Sequence, residues 1–230
     1  MSRLAIATSL VLSLFASVAL ADRAFDPTEA PHFAQPPHAE TPRPVGLLAP
    51  ERALDRDTVR AALVQHRAAN LAAFRAYQKA GVFPSNTYQG RKLNVWRDDA
   101  GHLCAAATVI NLSGATALVN RVAEQTNFIK LGDVTTGPLM DWILTSGFTQ
   151  DEIAMIQEPY MPVTDRPAPH PVEQPIVVDA RLRAAETARL AKLYKQIDGK
   201  LVAAQQASLE AATSRLMKKS QLAWQLIDAT

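Results

Sequence analysis

The chain of 230 residues contains one cysteine, Cys104, so it can form no internal disulfide. Small exported domains often depend on paired cysteines, and this one must be held together by burial instead. A strong excess of one charge is also missing, since 24 Lys and Arg stand against 22 Asp and Glu, a formal net charge of +2. That near balance argues against nucleic-acid binding, which needs a basic stripe. The sequence holds no Gly-rich phosphate loop, G-x-S-x-G elbow, H-E-x-x-H helix or C-x-x-C-H haem site, and no cofactor is expected. Beyond the first 21 residues no apolar run is long enough to cross a bilayer.

That first stretch, MSRLAIATSLVLSLFASVALA, has Arg3 as a positive start, a serine-broken apolar run, and Ala19-Leu20-Ala21 before Asp22. It reads as a signal peptide over residues 1–21, cleaved after Ala21. The mature chain is therefore expected to be exported, periplasmic or secreted, without stable membrane insertion. With 48% hydrophobic and 20% charged residues it has the composition of a globular protein.

Proline density divides the remainder. Residues 22–50, with DPTEAPHFAQPPHAETPRP, read as an extended flexible arm. Residues 51–162 read as a compact, mainly helical domain in which a short strand or hairpin, and so a small α+β character, is possible. Residues 163–176 fall in a second proline-rich stretch and read as a linker. Residues 177–230 read as a long amphipathic helical tail, and 177–228 contain no proline and one glycine, Gly199.

Within the domain, Val59, Leu63, His66, Asn70, Phe74 and Tyr77 recur at three and four, the spacing of one helical face. Asp57 is placed to cap that helix, Gly81 to end it in the left-handed conformation, and Pro84 to stop any continuation. RKLNVWRDDAGH alternates and then turns at Asp98–Gly101, which predicts a strand leading into a helix over LCAAATVINLSG. A second short helix is expected over 115–126 and a brief strand in NFIKLGDV. Pro138 opens another helix that Gly147 closes. Thr149 with Glu152 then forms a capping box, with Phe148 and Ile153 as its hydrophobic staple. The resulting pair of helices has the outline of a helix-turn-helix, but QDEIAMIQE is acidic where phosphates would lie.

In the tail, Leu190, Leu201, Ala212 and Ala223 recur every eleven residues, as do Tyr194, Gln205, Leu216 and Ile227. This spacing predicts a nearly straight helix with a narrow apolar face. Such a helix needs a partner. The expectation is a protein partner or self-association through residues 177–228, contacted by Leu190, Tyr194, Leu201, Leu216 and Ile227. Docking on the chain's own domain is the competing possibility.

Phe83-Pro84-Ser85-Asn86, Asp98-x-x-Gly101-x-x-Cys104-Ala105, Trp142, Gly147-Phe148-Thr149 and Ile156-Gln157 occur in that order. This pattern, over roughly residues 67–160, resembles a set of exported bacterial proteins with no established activity. The resemblance implies that the segment around Cys104 belongs to the core design of the module.

A thiol enzyme would need a base for Cys104, which His102 or His66 could supply, and an orienting group, Asp99 or Asn86. A metal site built on His102, Cys104 and the Asp98–Asp99 pair lacks the spacing of zinc ligands, and no metal is expected. Other places for the thiol are an intermolecular disulfide or a core packed against Ala105, Ala106 and Ala107. The sequence thus supports a non-enzymatic, exported interaction or scaffolding protein, with a thiol-dependent hydrolase or transferase using Cys104 as the alternative.

Overall fold

A computed structural model describes residues 53–168 and 176–229. The expected signal peptide and arm, residues 51–52 of the expected domain, and residues 169–175 of the expected linker lie outside the described residues. Within them are eight α-helices and one short 3-10 turn.

Helix α1, Arg56–Ala80, begins one residue after Asp55, whose carboxylate accepts from the Thr58 amide at 2.8 Å. Asp57, the expected cap, falls inside the first turn. Gly81 ends the helix at φ 63°. The buried face runs Val59, Leu63, Arg67, Asn70, Phe74 and Tyr77. His66 is only partly buried, one position off that face.

The expected strand is not formed. Residues 93–103 make isolated bridges, Leu93 to Tyr160 and Arg97 to Leu103, and no strand occurs among the described residues. Each pairing is a single bridge, and the chain then enters helix α2, Ala105–Leu112. Helix α3, Thr116–Thr126, follows. NFIKLGDV, expected as a strand, carries instead the 3-10 turn Leu131–Asp133.

Helix α4, Pro138–Thr145, has its proline in the first turn. Helix α5, Gln150–Ile156, carries the full capping box of Thr149 and Glu152. Phe148 and Ile153 beside it are both buried.

The C-terminal region contains a long helix, α6 (Ala180–Ala203), followed by α7 (Gln205–Leu216) and α8 (Ser220–Asp228). All three pack on α1, and α7 and α8 also reach α4. The expected long C-terminal helix is present as α6, two shorter helices continue it, and all three contribute buried residues to the shared core. Leu190, Tyr194, Leu201, Leu209 and Leu216 are buried in the same cluster as Leu63, Phe74 and Ile110. Ile227 is partly buried against it. The eleven-residue stripe marks a buried face, and α1 of the same chain covers it. Neither Ala204 nor Lys218-Lys219 is a helix breaker, so packing rather than intrinsic propensity sets these breaks. No described helix is long and apolar enough to cross a membrane.

Candidate functional site

Cys104 occupies the N-cap of α2, where its Sγ accepts from the Ala107 amide at 3.3 Å. It is 1% exposed. Burial pushes its thiol up to about 12, against the smaller opposing pull of the nearby backbone amides. The dipole of α2 therefore loses to desolvation.

The other catalytic candidates are engaged elsewhere. His102 Nδ1 lies 3.1 Å from Asp98 Oδ2, and Asp99 accepts from the Tyr88 hydroxyl at 3.1 Å. His66 lies with Leu112 and Ser113 at the C-terminal end of α2, whereas Cys104 caps the other end, about 12 Å along the axis. Cys104 makes no hydrogen bond to His66, His102 or Asp99. Among the described residues no cluster of three potential metal ligands occurs.

The residues of the sequence pattern are occupied in building the scaffold. Asn86 donates to the Arg91 and Tyr160 carbonyls at 2.8 and 3.0 Å and accepts from the amides of Tyr88 and Gln89. Asp98 accepts from the amides of Ser85 and His102 at 2.9 and 2.8 Å, which closes the turn before α2. Trp142 donates its indole N–H to Ser113 at 2.8 Å. Tyr77, Tyr160 and Tyr194 join their hydroxyls in a buried row, at 3.2 and 3.3 Å.

Arg67 was not legible as a key residue from the sequence. It is 2% exposed, and its two terminal nitrogens reach Glu152 Oε2 and Oε1 at 2.8 and 2.7 Å. The same nitrogens donate to the carbonyls of Gly147 and Leu201. Glu152 also accepts from the Ser208 hydroxyl and the Thr149 amide. Burial raises the Glu152 carboxyl, but bonds from Arg67, Thr149 and Ser208 together bring it below the usual carboxylate range. One ion pair therefore ties α1, α5, α6 and α7 together. The signal for it was the phase of Arg67, four residues from Leu63 and three from Asn70 on the buried face.

A more open arrangement surrounds the chain from Ile129 to Val134. Gln157 accepts from the Leu131 amide and donates to the Ile129 carbonyl, each at 2.8 Å. Gln150 donates toward the carbonyls of Leu131, Gly132 and Val134 at 2.9, 3.2 and 2.7 Å. Gln150 at the start of α5 and Gln157 just past its end thus hold this segment as a ridge with a depression on each side. One, about 600 Å³, includes Arg91, Lys92, Leu93, Phe128 and Pro159. The other, about 390 Å³, includes Leu118, Arg121, Val122, Val134 and Leu139. Lys130 and Asp133 line both. Lys130 and Arg121 are exposed and have no hydrogen-bond or ion-pair partner among the described residues. Phe128, which is exposed, forms a T-shaped ring pair with Tyr88, centroids 5.0 Å apart. Chemically, this surface can bind an anionic group beside apolar matter. It holds no nucleophile paired with a base.

Comparison with protein-family models, with curated proteins and with solved structures finds no match to this chain.

Proposed function

We propose that the chain is an exported interaction module that engages a protein partner through the Ile129–Val134 ridge and its two flanking depressions. The observation that carries this reading is the ridge itself. It is immobilised by Gln150 and Gln157 yet presents the unpaired Lys130 between two recesses. A surface fixed before binding loses less conformational entropy on association. The leader over residues 1–21 supports export. Binding through the tail stripe would require Leu190, Tyr194, Leu201 and Leu216 to leave the core, which favours a recognition surface elsewhere. For the alternative, a thiol-dependent hydrolase or transferase, the buried and protonated Cys104 is poor support.

The test places a photo-crosslinking amino acid at position 128 or at position 202 of the full chain in exporting cells. Both Phe128 and Val202 are exposed. The expected result is a discrete adduct from 128 that Lys130→Glu abolishes, and none from 202. Adducts from 202 alone, or from neither position, would overturn the reading.

A further inference from the structure

We infer that the ligand of this surface is an acidic peptide segment carrying aliphatic side chains, bound across the ridge; the inference rests on the site proposed above. Four cationic side chains, Arg91, Lys92, Lys130 and Arg121, line the two depressions, against one carboxylate, Asp133. Lys92 is already paired, with Glu158 at 3.1 Å, and Arg91 donates to the neutral Gln89. Lys130, Arg121 and Arg91 therefore have no carboxylate partner among the described residues. An acidic ligand supplies what the chain does not, and such complementarity acts mainly on encounter and specificity.

The shape of the surface selects among polyanions. The apolar side chains Leu118, Val122, Val134 and Leu139 line a recess rather than a projection. A membrane surface cannot reach into a recess, whereas a leucine or valine side chain projecting from a peptide can. A single-stranded nucleic acid would need stacking platforms as well as cations. An extended peptide advances about 3.3 Å per residue, so a few residues carry acidic groups across Lys130 while one aliphatic side chain enters the recess.

The test uses a fluorescein-labelled twelve-residue peptide of glutamate and glycine with two leucines, titrated with the full mature chain and followed by anisotropy. Binding that weakens with added salt is expected. Lys130→Glu and Arg121→Glu should each weaken it tenfold or more. Lys195→Glu, on the exposed side of α6, should leave it unchanged. Replacing the leucines by serine, or the glutamates by glutamine, should abolish it. No binding by the parent peptide, or equal binding by the leucine-free peptide, would overturn the inference. So would stronger, Lys130-dependent binding of phosphatidylglycerol vesicles or polygalacturonate. If the peptide fails while the crosslink from position 128 persists, the ligand class is wrong and the site stands. If both fail, the site is wrong as well.

Discussion

Arg67 and Glu152 face each other through a two-pronged ion pair, 2.7 and 2.8 Å long, with side chains 2% and 6% exposed. Such a pair is costly to desolvate and far more costly to break by halves. Arg67→Ala or Glu152→Gln alone should lower unfolding stability by about 3–5 kcal/mol. The double variant should cost less than the sum of the two, which chemical denaturation in a double-mutant cycle would read. If the costs simply add, the pair is not the unit described here.

The same pair sets an acid dependence. Glu152 titrates below its ordinary 4.5 when folded, so its stabilising contribution is complete above about 4.5 and is lost as pH falls through the lower folded value. Wild type and Glu152→Gln should therefore converge in unfolding midpoint as the pH drops below that range. A difference that stays constant to low pH would contradict the assignment.

Gly147→Ala should be the most damaging glycine substitution. Its φ is +79°, and an added Cβ would lie 2.4 Å from the Leu63 carbonyl oxygen and 2.8 Å from the Arg67 amide. Backbone on α1 cannot move aside as a flexible side chain would. Gly114→Ala, at φ +92° with open space around it, meets only the cost of its dihedral, about 1 kcal/mol. Thermal unfolding of both variants checks the order: Gly147→Ala well below Gly114→Ala.

Deleting residues 177–230 should unfold the remainder rather than release an independent domain. The deletion strips Leu190, Tyr194, Leu201, Leu209 and Leu216 from the core and removes two partners of the buried pair, the Leu201 carbonyl and Ser208. Far-ultraviolet circular dichroism and solubility are the readouts. A truncated chain with an unchanged midpoint would show that the C-terminal helices are dispensable.

Cys104 should resist small thiol reagents in the native protein and react only on unfolding. Burial and a thiol pushed up to about 12 both protect it. Fast native labelling near neutral pH would revive the enzymatic alternative.

Local chemistry was the most legible part of the sequence. The Thr149–Glu152 box, Pro138 at its helix start and Gly81 at its helix end each depend on neighbours within four residues. The eleven-residue stripe correctly marked a buried face, but periodicity says which side is covered and not by what. The choice between α1 and a foreign surface was therefore open. Arg67 escaped notice because its partners lie 80 to 134 positions away, at Gly147, Glu152 and Leu201. The ridge escaped for a similar reason, since Gln150 and Gln157 carry no charge and act on backbone atoms. The alternation in KLNVW suggests a strand, yet the segment forms only single bridges, one of them to Tyr160 more than sixty positions away, a partner that local alternation does not reveal.

The order of the chain gives the packing on α1 a further meaning. Helix α1 is the first described element to be made, and α6, α7 and α8, which cover it, are the last. Until those later helices emerge, Leu63, Phe74 and Arg67 have no complete surroundings. A nascent chain is thereby kept from closing its core early, since contacts so distant in sequence form late. Part of the apolar face of α1, although it is made early, therefore stays uncovered until partners more than a hundred residues downstream have been added.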